Sequence, residues 1–206
     1  MGGKTSSARI LWISICSMLL LLAALSAWGC GKSEPPRDGG TEEGTEEEVE
    51  DDAGEGTYDL TLYFRYSGDT REWLAPEERT ALGVKDPYRA AMEELIKGPA
   101  PDSQLHPVLP NTVKVLGIEV ADGIATVNVS KEILTDANQV GVSAAGEGLA
   151  LSAVANTITE FDGVSMVKLL IEGMQSGMVE GRFVEDFWGH VGLPEYLERN
   201  EDVIFR

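Results

Sequence analysis

The sequence predicts an α+β fold in which two helices pack on one face of a mixed β-sheet. Segments of alternating apolar and polar residues indicate strands, and two segments with helical periodicity, 86–99 and 144–161, interrupt them. An Asp-Gly pair at 122–123, flanked by apolar residues, is a strong signal for a β-hairpin. Because strands outnumber helices, the helices are expected to cover one side of a sheet rather than to form a bundle.

The domain begins with a predicted strand at 57–67, TYDLTLYFRYS. Side chains on a strand alternate between its two faces. The residues predicted to face the core are Tyr58, Leu60, Leu62 and Phe64, and those predicted to face away are Asp59, Thr61, Tyr63 and Arg65. This strand is also a candidate sheet edge that could receive a strand from a partner. Two short extended pieces, 73–74 and 81–84, are predicted on either side of a turn at Ala75-Pro76.

The first helix is predicted over 86–99, DPYRAAMEELIKGP. Asp86 can cap the free amides of the first turn, where Pro87 is also well tolerated. Gly98 can adopt the left-handed conformation that ends helices, and Pro99 prevents continuation. A proline-rich loop at 100–111 is expected to follow.

A β-hairpin is predicted over 112–130, with its turn at Asp122-Gly123. The apolar phase slips near Gly117, which predicts a bulge at 116–117. The second helix follows at 144–161, rich in small residues. A strand is then predicted over 164–173 and ends at Gly173, and a further strand is possible at 178–184. The extension 183–206 is expected to pack back on the domain.

Four motifs in order resemble the GerMN domain, the extracytoplasmic sporulation and spore germination domain of Gram-positive bacteria. They are Leu95-Ile96-x-Gly98-Pro99, Leu109-Pro110-x-Thr112, Asp122-Gly123-x-Ala125-x-Val127-Asn128-Val129-Ser130 and Val164-x-x-Val167-x-x-x-Ile171-Glu172-Gly173. The resemblance covers roughly residues 58–182. It implies a non-enzymatic domain, often lipid-anchored, with a sandwich fold similar to ring-building motifs.

The resemblance also assigns structural roles to particular residues. The motif positions expected to shape the backbone are Gly98, Pro99, Pro110, Asp122, Gly123 and Gly173. Asn128 stands where the family commonly has Asp, which argues against a catalytic carboxylate at that position. We find no second copy of the domain in this sequence, whereas the sporulation protein that gives the family its name carries two. A direct role in sporulation therefore stays open.

Residues 1–29 are predicted to be a lipoprotein signal peptide. Lys4 and Arg9 precede an almost entirely apolar run at 10–27, the layout of an export signal. The sequence AWGC, which ends at Cys30, resembles the lipobox of bacterial lipoproteins, in which the signal is cut before a cysteine that is then lipidated. The alternative is an uncleaved membrane anchor. Both outcomes place the rest of the chain on the extracytoplasmic face of the cell membrane, and the resemblance to the GerMN domain implies a Gram-positive-type bacterium.

Residues 30–57 are predicted to be the lipidated Cys30 followed by a disordered acidic linker. Positions 31–57 contain eleven acidic and two basic residues, and Val49 is their only bulky apolar side chain. Such a composition cannot bury enough surface to offset chain entropy. The domain that follows, 58–206, has 24 acidic and 12 basic residues and therefore a net charge of −12. So acidic a domain lacks the basic footprint that nucleic acid requires.

The sequence contains no recognisable catalytic, metal or cofactor motif. His106 and His190 are the only histidines, and they do not form a spaced metal pair. A triad with Ser130 or Ser143 is conceivable, but no G-x-S-x-G elbow is present. We therefore predict no catalytic residues, no metal and no cofactor, with an uncharacterised hydrolase as the third hypothesis.

The leading hypothesis is protein–protein contact in a cell-envelope, sporulation or germination assembly, and the alternative is a cell-wall or small-ligand binding module. The expected partners are the membrane, through the lipid, and an extracytoplasmic membrane or envelope protein. The aromatic residues after the family core are predicted to form a satellite core or, if exposed, a partner surface. The candidates for that surface are Phe183, Phe187 and Trp188.

Overall fold

The computed structural model of the chain describes residues 55–206, so the predicted signal peptide, Cys30 and nearly all of the acidic linker lie outside the described residues. The strands are β1 Gly56–Ser67, β2 Glu72–Val84, β3 Val115–Ala121, β4 Ile124–Val129, β5 Met166–Ile171, β6 Met178–Val179, β7 Arg182–Phe183 and β8 Leu197–Glu198. The α-helices are α1 Pro87–Lys97, α2 Glu132–Thr135 and α3 Ala144–Ile158. Short 3-10 turns occupy Ala137–Val140 and Glu201–Val203.

The α+β class predicted from the sequence is confirmed. The largest sheet has the order β3-β4-β5-β8 and is mixed, because β4 and β5 run parallel and the other pairs are antiparallel. The connection from β4 to β5 contains α2 and α3. The strands form more sheets than expected. Strands β1 and β2 form a separate two-stranded sheet, and β6 and β7 form a third. The longer helices, α1 and α3, pack against each other and against β1.

The predicted turn at Ala75-Pro76 is wrong. Strand β2 runs without interruption for 13 residues, and Pro76 lies within it, opposite Tyr63 of β1. The hairpin turn lies at 68–71 instead, where the amide of Gly68 donates to the carbonyl of Arg71 at 3.1 Å. Proline lacks an N–H group and is tolerated in edge strands. The strand can therefore continue through it.

The core-facing residues Leu60, Leu62 and Phe64 of β1 are buried as predicted. The predicted exposure of Tyr63 is wrong, because only 4% of this residue is accessible. Helix α3 covers the second face of the strand here, and the Tyr63 amide donates to the hydroxyl oxygen of Thr157 at 3.2 Å. A period-two pattern describes a strand with one buried face, whereas this part of β1 is buried on both.

Strand β1 is also not a free edge, contrary to the prediction that it could receive a partner strand. On the side away from β2, Arg65 exchanges two backbone hydrogen bonds with His106, at 3.1 and 2.8 Å. The proline-rich loop thus occupies this edge, and α3 occupies the neighbouring part through Thr157.

Helix α1 begins and ends as its sequence predicts. The Asp86 side chain accepts from the Arg89 amide at 2.9 Å, and Pro87 is the first helical residue. Gly98 follows the last turn with φ +92° and ψ 177°. Its positive φ fits the prediction, but its ψ is extended rather than helical, so the chain leaves α1 directly.

The predicted hairpin forms between β3 and β4. Asp122 and Gly123 have φ values of +52° and +78°, as a two-residue turn of the I′ class requires. The pairing register shifts between Val115 and Gly117, which confirms the predicted bulge. The core-facing residues of β4 are fully buried, and they are Ala125, Val127 and Val129.

The possible single strand at 178–184 is wrong. Strands β6 and β7 are two residues each and pair with each other as a small hairpin. The chain reverses between them at Glu180 and Gly181, both of which have positive φ. A two-residue reversal inside an apolar run is easily overlooked when only periodicity is considered.

Candidate protein-contact surface

The described strands differ in how their free edges are protected. Within residues 55–206, β2 pairs only with β1 and β3 only with β4, so each has one edge without a strand along most of its length. The edge of β2 carries Pro76 and the charged run at 77–79, features that discourage strand addition. Strand β8, at the other end of the large sheet, is only two residues long. Strand β3 is longer than β8 and has no proline, and its protection is limited to the bulge at 116–117 and one charged residue, Glu119.

The outer half of β3 presents apolar side chains to solvent. Ile118 and Val120 lie opposite Val127 and Ala125 of β4, and their side chains therefore share the core-facing side of the sheet. Ala125 and Val127 are 0% exposed, whereas Val120 is 40% exposed. Ile118 is half-buried and packs against the core, so the exposed apolar side chain on this side of β3 is Val120. An uncovered apolar strand at a free edge is typical of a site that pairs with another chain.

A groove of about 490 Å³ runs between the start of β3 and the second half of α1. Its floor is apolar, because Ile96, Val113 and Val115 line it and are nearly buried. Its rim carries Glu93, Lys97, Asn111 and Lys114. We define the contact edge as β3 together with this groove. The arrangement of a free strand beside a helix-walled groove suits an extended peptide, whose backbone pairs with the strand while alternate side chains enter the groove.

A second groove of about 550 Å³ lies between α1 and β2. Arg79 fills part of it and donates to the carboxylates of Glu77 and Glu94, each at 2.6 Å. Burial by itself would lower the pKa of Arg79, but the hydrogen bonds to these two carboxylates raise it above its ordinary value. The charged groups in this groove are thus already paired with one another. It is less suited to receive a partner than the groove beside β3.

The family motif Gly98-Pro99 positions the end of α1 through the same arginine. Arg79 donates to the Gly98 carbonyl at 2.6 Å, and the Glu77 carboxylate accepts from the Ala100 amide at 3.1 Å. The chain after the helix is therefore attached to β2. The predicted role of Gly98 and Pro99 is structural, and these contacts join the chain on both sides of Pro99 to β2.

The other motif residues lie in turns. The carbonyl of Pro110 accepts from the Val113 amide at 3.2 Å, in the turn that leads to β3. Asp122 and Gly123 form the hairpin turn, and the Gly123 carbonyl accepts from the Ser165 amide at 2.8 Å. Gly173, with φ +78°, lies in the turn that follows β5, and its amide donates to the side-chain oxygen of Asn128 at 2.8 Å. Asn128 thus has a structural partner.

The predicted aromatic partner surface is wrong for two of its three residues. Phe187 and Trp188 are only 3% and 8% exposed, and their rings stack with centroids 4.9 Å apart. The Trp188 indole nitrogen donates to the Ile133 carbonyl at 2.8 Å, so α2 covers the ring. Only Phe183 is exposed, at 49%. Phe187 and Trp188 are core residues, but they belong to the main hydrophobic core rather than to a separate satellite core.

A buried carboxylate that the sequence analysis missed holds the loop at 190–192. Glu147 of α3 is 0% exposed and accepts from the backbone amides of His190, Val191 and Gly192 at 2.9, 3.0 and 2.8 Å. Three donors around one carboxylate provide strong charge-assisted hydrogen bonds. The sequence indicates this role only weakly. Glu147 is a single acidic residue among small and apolar neighbours, in a helix that is expected to pack closely.

Two further polar contacts of the extension were also missed. The side chain of Asn156, which is 0% exposed, pairs with both backbone groups of Asn200 at 2.7 and 3.0 Å. Arg199 contacts the Tyr63 hydroxyl at 2.9 Å and Glu160 at 2.7 Å. Burial and the hydrogen bond to Glu160 raise the pKa of Tyr63 to about 12. The tyrosine is therefore a neutral hydrogen-bonding group near neutral pH.

The residues considered for a catalytic triad are engaged in backbone contacts. Ser143 caps α3 by accepting from the Gly146 amide at 3.0 Å, and Ser130 accepts from the Lys114 amide at 2.9 Å. His106 pairs with β1 through its backbone, and His190 donates its amide to Glu147. In the described part of the chain, no group of three or more His, Cys, Asp or Glu residues is arranged to hold a metal ion. No helix among residues 55–206 has the length and apolar character needed to cross a membrane.

Comparison with sequence families identifies the domain. Residues 61–177 match the family described as Germane, sporulation and spore germination. No curated protein matches the chain. The matched range contains α1, the contact edge and β5, whereas the extension after β6 lies beyond it.

Several solved structures are also similar to this chain. The tandem GerMN domains of the sporulation protein GerM from Bacillus subtilis match with a TM-score of 0.55 and 25% identity, over 72% of this chain and 48% of that one. This chain therefore spans about half the length of that relative. A lipoprotein candidate from Clostridium perfringens gives a TM-score of 0.45 and 26% identity, covering 69% of this chain and 88% of that one. The first GerMN domain of the same Bacillus subtilis protein gives 0.49 and 19%, covering 69% and 98%.

Proposed function

The chain belongs to the Germane family of sporulation and spore germination domains, and on that premise we propose that it is a membrane-anchored, extracytoplasmic, non-enzymatic domain. Its work would be protein–protein contact in a cell-envelope, sporulation or germination assembly. The observation that supports this proposal is the contact edge. There, a strand edge that pairs with no other described strand, and on which Val120 is 40% exposed, borders a groove with an apolar floor and a polar rim.

Strand addition explains why this edge suits a protein partner. The incoming backbone would pair with β3, and its alternate side chains would cover Leu116, Ile118 and Val120 on the two faces of the strand. Covering exposed apolar surface contributes roughly 25 cal/mol per Å², which provides a driving force without any catalytic group. The bulge at 116–117 increases the local twist and so limits which strands can pair there.

The proposed anchor is a lipid on Cys30. A random coil of the length of the acidic linker would span roughly 25–30 Å, and its like charges would extend it further. The linker enters the domain at the start of β1, where Gly56 lies opposite Val84. Confinement to the membrane would raise the local concentration of the domain near membrane-bound partners. The function of the anchor and linker is then positional.

The anchor is tested with Cys30→Ser. We expect this variant to lose acyl labelling and to move from the membrane fraction to the soluble fraction or to accumulate as the uncut precursor. Labelling with an alkyne fatty acid, followed by intact-mass measurement of the protein, would detect both changes. The matched control is Cys16→Ser, because Cys16 lies within the predicted signal peptide and its substitution should leave labelling unchanged. Acylation that persists in Cys30→Ser would contradict the proposal.

The contact edge is tested by photo-crosslinking in intact cells with Val120→Lys. A lysine on an exposed edge opposes strand addition, so we expect the main protein adduct to fall at least about tenfold. The control is Leu82→Lys, which introduces the same charge at a residue that is 74% exposed on β2. Both changes are on the surface, and each should alter the free energy of unfolding by no more than about 0.5 kcal/mol.

The identity of the adducts separates the proposal from its alternative. Adducts to one or two extracytoplasmic membrane proteins, lost in Val120→Lys and kept in Leu82→Lys, would support protein contact at β3. Adducts only to cell-wall fragments or small molecules would instead favour a binding module. In that case the 550 Å³ groove between α1 and β2 would be the first place to examine.

A further inference from the structure

The charges along the contact edge are unequal at its two ends. Lys114 precedes β3, and Lys97 faces it across the groove with 70% of its side chain exposed. At the other end of the strand, Glu119 and the turn residue Asp122 are both exposed acids. The domain as a whole has 24 acidic and 12 basic residues. The rim at the lysine end also carries Glu93, which pairs with Arg89 at 3.5 Å, so the two lysines leave that end with an excess of positive charge.

The two lysines are available to a partner. Lys97 pairs with Glu94 of the preceding turn at 3.1 Å, but exposed pairs of this kind contribute little and exchange readily. Lys114 makes no salt bridge with any residue in 55–206. Arg89, on the adjacent face of α1, is committed to the Val115 carbonyl, to which it donates at 2.8 Å. At this end Lys114 has no salt bridge within 55–206, and Lys97 has only its pair with Glu94.

From this charge distribution, and on the basis of the proposed function, we infer that the partner contributes an extended segment with alternating aliphatic side chains and carboxylates at its C-terminal end. The aliphatic side chains would cover Ile118 and Val120, and the carboxylates would meet Lys97 and Lys114. Antiparallel pairing is the slightly more stable arrangement, and it places the C-terminal end of the incoming strand at the beginning of β3. Glu119 and Asp122 would oppose carboxylates at the other end.

The inference is tested with synthetic peptides and the full chain purified in detergent. The probe is a fluorescent peptide in which valine and isoleucine alternate with threonine, followed by two glutamates at the C-terminal end. Matched peptides carry the glutamates at the N-terminal end or two lysines at the C-terminal end. We expect the first peptide to bind about tenfold more tightly than either matched peptide, and its advantage to shrink as salt is added.

The second part of this test reverses charges on the protein and measures binding of the same peptides. Lys97→Glu combined with Lys114→Glu should remove the preference for the first peptide, with affinity lowered about tenfold. Lys168→Glu combined with Arg206→Glu is the control, because it changes the net charge equally with neither residue in the groove. Circular dichroism and urea unfolding of both double variants would verify that each is folded.

The outcomes distinguish this inference from the proposed function. If all three peptides bind equally and Val120→Lys abolishes their binding, strand addition stands and the carboxylate preference is overturned. If no peptide binds but Val120→Lys still removes the cellular adduct, the proposed function stands and the partner chemistry is overturned. If neither peptides nor adducts respond to Val120→Lys, the proposed function itself fails. If the chain self-associates and Val120→Lys makes it monomeric, the occupant is a second copy rather than the inferred partner.

Discussion

Replacing Glu147 with leucine is expected to lower the free energy of unfolding by about 2–4 kcal/mol. The substitution removes the acceptor of three backbone amides, at 190–192, and leaves them without a partner in the native loop. The cost stays below the sum of three charge-assisted bonds, because Val191 is 60% exposed and a displaced loop can hydrate its amides. Urea unfolding followed by circular dichroism would measure the change.

The effect of Glu147→Leu should be larger in the loop at 190–192 than in the rest of the domain. Hydrogen exchange at the amides of 190–192 should accelerate by more than about tenfold, while exchange in β4 and β5 should follow the global stability. Glu147→Gln retains one carbonyl oxygen but turns an amide group toward donors, so its effect should be intermediate. The control is Glu195→Gln, which changes an exposed carboxylate of the same extension and should stay within about 0.5 kcal/mol. If Glu147→Leu unfolds at the same urea concentration as the wild type, contacts other than those of Glu147 hold the loop.

The elements predicted correctly from the sequence are those whose determinants are local. Asp86 and Gly98 bound α1 by contacts within a few residues, and the Asp122-Gly123 turn fixes the register of β3 and β4. The slip near Gly117 was visible because a bulge shifts the apolar phase of one strand. In each case a short stretch of chain contains both the signal and the interaction that it produces.

The errors concern interactions between distant parts of the chain. Tyr63 is buried by α3 and by Arg199 of the extension, neither of which leaves a mark in the pattern of β1. Pro76 was interpreted as a turn because its tolerance in a strand depends on where that strand lies in a sheet. Glu147 was not recognised because its partners are backbone amides, which carry no sequence signature. The contact edge escaped prediction for the same reason, since an edge is defined by the strands that do not pair with it.

Unlike the fold, the lipid anchor and the sporulation-related role are proposals. The family match and the structure describe residues 61–177 and 55–206, respectively, and Cys30 precedes both ranges. The family comparison thus supports a GerMN-type domain, and the exposed edge supports a contact role. The two proposals are independent, because a domain that lost its lipid would still carry β3, and a lipid-anchored domain with a blocked edge would still reach the membrane.

Replacing Trp188 with alanine is expected to destabilise the domain by about 3–5 kcal/mol, the range for a large aromatic residue removed from a core. Trp188 is 8% exposed, and its ring stacks on Phe187 with centroids 4.9 Å apart. The substitution would also leave the carbonyl of Ile133, a fully buried residue, without its indole donor. Urea unfolding monitored by circular dichroism would measure the loss, because removing a tryptophan alters the fluorescence signal itself.

Two companion variants separate packing from hydrogen bonding and from surface effects. Trp188→Phe keeps much of the ring but removes the N–H group, so it should cost about 1–3 kcal/mol, mainly through the unsatisfied carbonyl. Phe183→Ala, at a residue 49% exposed, should remain within about 1 kcal/mol of the wild type. The opposite pattern, in which Trp188→Ala keeps wild-type stability but loses the cellular adducts, would restore the aromatic cluster as the partner surface. In that event β3 would no longer be the preferred site, because Trp188 would contribute to partner contact and not to the stability of the core.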